Sequence, residues 1–233
     1  MALTEFMHSN TFMNNKTTLE LNSKALAGRS ELHIARKVWH VSMGTIAIAL
    51  YHASDSSLEF YGWVAFAIGL AGFILDFFRL HNEGMNLLAV KLFGLILRKS
   101  EIQSFSGLPF YAMGSALSIY FFPPKIALVS IYFLVYADPI ASLIGVKFGK
   151  DQILPNKTLQ GSVACFLACY AIMAICTLDS SASSHVVLIF CFFAALFGTV
   201  SEMFSAFNID DNMTIPVVSG AGIFVLNLLF QVL

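Results

Sequence analysis

The chain has 233 residues, of which 58% are hydrophobic and only 12% are charged, and its mean hydropathy is +0.77. A soluble domain carries about 25% charged residues, so this composition argues against a water-exposed globule. The net charge of −1 argues against nucleic-acid binding through a basic surface. The length suits one compact bundle of membrane helices without a second soluble domain. We therefore expect an all-α protein that crosses a membrane several times.

The apolar residues occur in runs close to the ~20 residues that cross a bilayer. Residues 1–30 are polar and lack the apolar centre of a signal peptide, so we interpret them as a cytoplasmic tail before a membrane domain over 31–233. About seven spans are predicted, at Ile34–Tyr51, Phe60–Phe78, Leu108–Phe122, Ile126–Phe148, Gly161–Leu178, His185–Ala206 and Ile215–Leu233. The run Gly84–Lys99 is too short to span, and it predicts an interfacial helix that serves either as a threshold for lipid or as a connector.

The positions of the basic residues predict how the bundle is oriented. All of the 13 lysines and arginines except Lys125 fall in the N-terminal region or in the loops after the second and fourth spans. By the positive-inside rule these segments are cytoplasmic, so the N-terminus lies in the cytoplasm and the C-terminus outside. The four cysteines lie within apolar runs and have no metal-ligand spacing, which predicts free thiols.

Three ionisable residues within the spans are candidates for catalysis, because such groups are costly inside a membrane and usually functional. Asp138 stands beside Pro139, whose ring leaves backbone carbonyls free. His40 lies in the first span and Glu202 near the cytoplasmic end of the sixth. For His40 the alternative is a buried histidine with satisfied hydrogen bonds.

A glycine-, lysine- and hydroxyl-rich segment joins the fourth and fifth spans. Backbone N–H groups at a helix N-terminus, together with ammonium groups, bind phosphate, although the spacing is not that of a Walker A loop. The predicted nucleotide-binding residues are Lys37, Gly145, Lys147, Gly149, Lys150, Lys157, Thr158, Gly161 and Ser162. For Lys37 the alternative is a charge that only fixes topology.

The loop before the last span carries consecutive oxygen-bearing side chains at Asp210, Asp211 and Asn212. Such oxygens suit Mg²⁺ that arrives with a nucleotide. We therefore predict a metal site formed by Asp138, Glu202, Asp211 and Asn212. The alternative is a solvated acidic turn at the start of a helix.

The segment from Asp138 to Ser162 resembles the signature of the CTP-dependent lipid kinases, which include polyprenol, phytol and diacylglycerol kinases. Further segments agree in order and spacing, at Glu31–Gly44, Arg98–Gly114 and Glu202–Pro216. The resemblance covers about Glu31 to Val218. Phosphatidate cytidylyltransferases share part of the pattern, but they carry a basic pair after the second acid and a Lys-Asp downstream. Asp211-Asn212 stands here instead, which favours the kinases.

The resemblance implies transfer of the γ-phosphate of CTP to the hydroxyl of a membrane lipid alcohol, with Mg²⁺ as cofactor. Asp138 or His40 would take the proton of the alcohol, and the site would face the cytoplasm. The membrane would be the plasma membrane of a bacterium, or the endoplasmic reticulum or plastid envelope of a eukaryote, and a homo-oligomer is compatible with the sequence. The alternatives are a phosphatidate cytidylyltransferase and, less favoured, a transporter.

Overall fold

The computed structural model describes residues 34–204 and 209–233, which are almost entirely helical. The predicted tail over 1–30 lies outside the described residues. The helices are α1 (Ile34–Ala53), α2 (Leu58–His81), α3 (Glu83–Phe93), α4 (Gly107–Phe121), α5 (Pro124–Tyr132), α6 (Asp138–Phe148), α7 (Leu159–Cys176), α8 (Ser184–Met203) and α9 (Asp211–Phe230). A π-helical turn (Phe133–Ala137) joins α5 to α6, and an antiparallel hairpin of β1 (Gln152–Leu154) and β2 (Lys157–Thr158) joins α6 to α7.

Within the described residues, five helical segments are long and apolar enough to cross a membrane, namely α2, the continuous segment Pro124–Phe148, α7, α8 and α9. The predicted all-α polytopic membrane bundle is confirmed by these segments. Two other predicted spans correspond to helices that do not meet this standard. Helix α4 has 15 residues, a length of about 22 Å against a hydrocarbon core of about 30 Å. Helix α1 carries Arg36 and Lys37 in its first turn.

The continuous segment Pro124–Phe148 lies at the centre of the bundle, where it contacts α1, α7 and α9. Phe133 of the π-helical turn shares a buried apolar cluster with Cys169 of α7 and Ile223 of α9. On the outer faces large apolar side chains such as Leu228 are exposed, as expected of helices surrounded by lipid. The four cysteines are free thiols, as predicted.

The π-helical turn has an identifiable cause in Pro139. The Asp138 N–H reaches back five residues to the carbonyl of Phe133. The next carbonyl, that of Leu134, receives no such bond, because proline has no N–H to donate. It accepts instead a hydrogen bond from His40 Nε2 at 2.9 Å. The turn therefore ties α1 to the centre of the bundle, one helical turn before Asp138.

The segment after α2 is held by a buried ion pair. Arg79 Nε donates to Asp76 Oδ1 at 2.8 Å, and Arg79 Nη1 donates to Asn86 Oδ1 in α3 at 2.8 Å. Arg79 Nη2 reaches the carbonyl of Ser104 at 2.8 Å, and Asp76 Oδ2 accepts the N–H of Ser106 at 2.6 Å. Asp76 and Arg79 form hydrogen bonds with each other, with backbone groups and with α3. They therefore act as a structural pair that fixes the start of α4.

Helix α3 is shorter than the predicted interfacial run Gly84–Lys99. It begins after Asn82, whose side-chain oxygen accepts the N–H of Met85 at 3.1 Å, and it ends at Phe93, with Gly94 as its C-cap. The chain then continues through turns to a 3₁₀ turn at Ser100–Ile102. The hydrophobic run thus contains one short helix that packs on α2.

Candidate active site

Carboxylates from three different helices approach one another at one end of the bundle. Asp138 begins α6, Glu202 lies in the last turn of α8, and Asp211 begins α9. The negative charge of Asp138 is repelled by Asp211 and Glu202 and attracted by Lys157 and Arg98. Acidic groups that repel one another in a buried site favour the binding of a cation between them.

The β hairpin directs Lys157 towards these acids. Its turn passes through Asn156, which has a left-handed φ of 60°, a conformation that asparagine adopts more readily than most residues. The ammonium group of Lys157 forms an ion pair with Glu202, and the two side chains are only 13% and 5% exposed. Thr158 then caps α7, since its Oγ1 accepts the N–H of Gly161 at 3.2 Å.

Two buried polar atoms, one in α1 and one in α7, have unused hydrogen-bonding capacity in the described part of the chain. Ser162 Oγ in the first turn of α7 and Lys37 Nζ in α1 are buried without a hydrogen-bond partner in the part of the chain that the structure describes. Lys37 is attracted by the charge of Asp138. Because buried polar groups in proteins are almost always hydrogen-bonded, a hydroxyl and an ammonium group left in this way indicate a site for an anionic ligand.

The acidic loop supplies its own local order. Asp210 caps α9, with Oδ1 accepting the backbone N–H of Asn212 at 3.0 Å and its side-chain amide at 2.8 Å. Burial and the neighbouring charge of Asp211 raise the pKa of Asp210 to about 6. Arg98 Nη2 lies 3.8 Å from Asp211 Oδ1. Burial disfavours the charge of Arg98, but the carboxylates of Asp211 and Glu101 outweigh this effect and raise its pKa.

A second polar cluster lies beside the acidic cluster of Asp138, Glu202 and Asp211. Asn212 connects the two clusters. Arg36 Nη1 donates to Glu101 Oε2 at 2.8 Å, and Glu101 also accepts the backbone N–H of Arg98 at 2.8 Å and of Gly107 at 3.1 Å. A Cβ atom on Gly107 would collide with Arg36 and Asn212. The sequence analysis did not include Arg36, Glu101 or Gly107 among the predicted site residues, and it used Arg36 only as a charge that fixes topology. The only signal was their place in segments that resemble the family.

Beside this second cluster lies a cavity of about 400 Å³. It is bounded by α1, α2, α3 and the start of α4, and its polar end is formed by His40, Tyr111, Asn212 and the Arg36–Glu101 pair. The rings of His40 and Tyr111 meet edge to face with centroids 4.6 Å apart. His40 therefore faces the cavity, whereas Asp138 does not line it.

The other predicted nucleotide-binding residues are either exposed or in close backbone packing. Lys147 and Lys150 are exposed. The backbone N–H of Lys150 donates to Gln160 Oε1 at 3.0 Å. The predicted glycines Gly145, Gly149 and Gly161 lie where the hairpin, α6 and α7 are in close contact; a Cβ on Gly161 would lie 3.1 Å from the Cα of Gly145. Packing accounts for these glycines, and their contact with nucleotide stays a prediction.

The predicted metal residues belong to the first cluster, but they do not form a complete protein cage. Among residues 34–204 and 209–233 no group of three or more His, Cys, Asp and Glu side chains is arranged to hold a metal ion by itself. This donor set is compatible with Mg²⁺, which usually takes one or two carboxylates and completes its shell with water and substrate phosphates. Asp138, Glu202, Asp211 and Asn212 as its ligands therefore stay a prediction.

Taken together, a membrane bundle holds unpartnered cationic and hydroxyl groups beside converging acids, next to an apolar cavity with a polar end. These are the features of a membrane enzyme that brings a phosphate-bearing substrate to a lipid.

Comparison with known proteins gives the family. The chain is 31% identical over 205 residues to CTP-dependent diacylglycerol kinase 1 of Saccharomyces cerevisiae, covering 80% of this chain and 70% of that protein. The same enzyme of Eremothecium gossypii is 31% identical (80% and 64% covered), and that of Schizosaccharomyces pombe is 29% identical (80% and 89% covered). No protein-family model and no solved structure matches. The chain belongs to the CTP-dependent diacylglycerol kinase family, which confirms the predicted resemblance.

Proposed function

We propose that this chain transfers the γ-phosphate of CTP to the hydroxyl of a membrane-embedded lipid alcohol, with diacylglycerol as the first substrate to test. The observation that carries this proposal is that the apolar cavity lies next to the acidic cluster. His40 faces the apolar cavity, and its ring is bonded to the carbonyl of Leu134, one helical turn before Asp138. A lipid hydroxyl at His40 and a phosphate beside Asp138 would thus be neighbours.

The residues divide into three roles in this proposal. Lys157, Lys37, Thr158 and Ser162 bind the triphosphate of CTP. Asp138 and Asp211 would hold Mg²⁺, which neutralises charge on the outer phosphates, while Glu202 orients Lys157. Phosphoryl transfer of this kind depends on positioning and charge stabilisation.

In the proposed reaction, His40 acts as the proton acceptor. The lipid oxygen attacks the γ-phosphorus, the bond to the oxygen bridging the β- and γ-phosphates breaks, and CDP leaves. His40 accepts the proton of the alcohol at Nδ1, because its Nε2 hydrogen is donated to the carbonyl of Leu134.

Two labelled forms of CTP test the reaction with purified protein, Mg²⁺ and diacylglycerol. We expect label in the γ position to pass into the lipid phase and label in the α position to remain in water as CDP. A cytidylyltransferase would give the reverse with phosphatidate, releasing pyrophosphate and carrying the α label into lipid. Lipid-phase α label would contradict the kinase assignment, as would the absence of lipid-phase γ label with every alcohol in a panel of diacylglycerol, polyprenol and phytol.

We further propose seven spans with a cytoplasmic N-terminus and active site. Lys125 and Asp179 form an ion pair of 3.2 Å at the opposite end of the bundle, and Ser180 Oγ bonds the carbonyl of Val232 nearby at 2.7 Å. In this orientation Lys125 is the one lysine or arginine of the described residues that lies outside.

Labelling of introduced cysteines tests the orientation. A cysteine at Ser181 should react with an impermeant thiol reagent added to intact cells, whereas one at Asn156 should react only after the membrane is opened, because these sites lie at opposite ends of the bundle. The parent chain, whose native cysteines lie within helices, is the control. The opposite labelling pattern would place the active site on the outer face.

A further inference from the structure

The cavity among α1, α2 and α3 differs in its charge from the acidic cluster of Asp138, Glu202 and Asp211. Its charged lining residues are Arg36, Arg79, Asp76 and Glu101, and these form two closed ion pairs of 2.8 Å each. The cavity therefore presents no net charge to an occupant. Phosphate is bound most strongly by charge-assisted hydrogen bonds, and this cavity offers no excess positive charge for a triphosphate, so it suits an uncharged ligand better than the nucleotide.

The walls of the cavity are apolar and open to the surroundings of the bundle. Trp39 and Met43 of α1 are 44% and 41% exposed, and Leu75 of α2 is 62% exposed. On α3, Leu88 and Leu92 line the cavity and are 56% and 64% exposed. These exposed wall residues place the cavity at the apolar outer surface of the bundle, where lipid surrounds the protein. A ligand can therefore arrive through the bilayer without crossing water.

The cavity also has a direction. Among its polar lining groups, Asn212 directly follows Asp211, and His40 is hydrogen-bonded to Leu134, one helical turn before Asp138, whereas α3 lines the cavity with apolar side chains. Met85, Leu88, Ala89 and Leu92 recur at helical spacing along that face. Ala89 is the smallest side chain among them, so it leaves room where bulkier neighbours would fill the space.

We propose that this cavity holds the hydrocarbon chain of the lipid alcohol, that the chain enters laterally past α1 and α3, and that Ala89 sets the length of chain accepted. This inference rests on the proposed lipid kinase function and adds the site and the specificity of its lipid substrate. An amphiphile whose hydroxyl reaches His40 matches the polar end, and its chain matches the uncharged apolar walls. An aqueous metabolite would leave these walls unused.

Substitution of Ala89 by phenylalanine tests the proposal, with dioleoylglycerol and dioctanoylglycerol as long- and short-chain substrates. Because the larger side chain takes up space that the long chain would occupy, we expect roughly a tenfold rise in KM for the long-chain lipid, which corresponds to about 1.4 kcal/mol of binding free energy. The KM for CTP and turnover of the short-chain lipid should change less than about twofold. Ala49→Phe is the matched control, because Ala49 is exposed on α1 and does not line the cavity.

Met43→Trp fills the same cavity from α1, and retained turnover of the short-chain lipid shows that each variant is folded. A rise in long-chain KM from both variants and not from Ala49→Phe supports the proposal. Equal effects on the two lipids, or no difference from the control, overturn it. If wild-type protein phosphorylates neither lipid, the proposed function itself fails, and this result is distinct from a loss of chain-length selectivity.

Discussion

Asp138→Asn should lower lipid phosphorylation by roughly 10²–10³-fold, the loss typical when one preorganised electrostatic group is removed from a transition state. Asparagine keeps the size and most of the hydrogen bonding of aspartate but removes the negative charge that would hold Mg²⁺. Because the acid stands among repelling carboxylates, removing one charge should not destabilise the fold. The measurement is the turnover of CTP and lipid by purified protein in vesicles, together with its thermal unfolding.

Two comparisons make this expectation specific. Asp179→Asn changes an acid that is 71% exposed at the opposite end of the bundle, and it should leave turnover unchanged. His40→Gln keeps a donor for the carbonyl of Leu134 but removes the ring nitrogen that accepts the proton. Raised Mg²⁺ should partly restore Asp138→Asn and should not restore His40→Gln. Near-normal turnover by folded Asp138→Asn would remove this residue from the site.

The membrane architecture was largely predictable because bilayer thickness fixes the length of an apolar run. Five of the predicted spans correspond to helices with the length and composition of a membrane span. The errors concern helix ends and short runs. The predicted interfacial helix Gly84–Lys99 ends at Phe93, because apolarity continues past Gly94 while the helix does not. Hydropathy predicts whether a segment lies in apolar surroundings. It does not predict the residue at which a helix ends.

The site was predictable in its residues more than in its contacts. Pro139 indicated that a carbonyl near Asp138 would be free, but the donor that fills it is His40, which is 94 residues away in sequence from Leu134. The ion pair of Lys157 with Glu202 depends on the hairpin that turns at Asn156. The cavity depends on the gap between α1 and α2, which no local pattern encodes. Contacts of this kind are properties of the tertiary arrangement.

Lys157→Met should raise the KM for CTP by at least about tenfold and leave the KM for lipid nearly unchanged, since a charge-assisted contact to phosphate is worth about 1.5–3 kcal/mol. Lys150→Met, which changes an exposed lysine of the same segment, is the control and should have little effect.

A second variant is needed because Lys157 is paired with buried Glu202, and breaking a buried pair costs about 3–5 kcal/mol of stability. Glu202→Gln is this variant. A purely structural pair predicts that loss of either partner lowers stability and harms the use of both substrates equally. If Lys157 binds the triphosphate, Glu202→Gln leaves that lysine and an oxygen acceptor for it in place, so the KM for CTP should rise much less than in Lys157→Met. Matching defects in the two variants would therefore return Lys157 to a structural role.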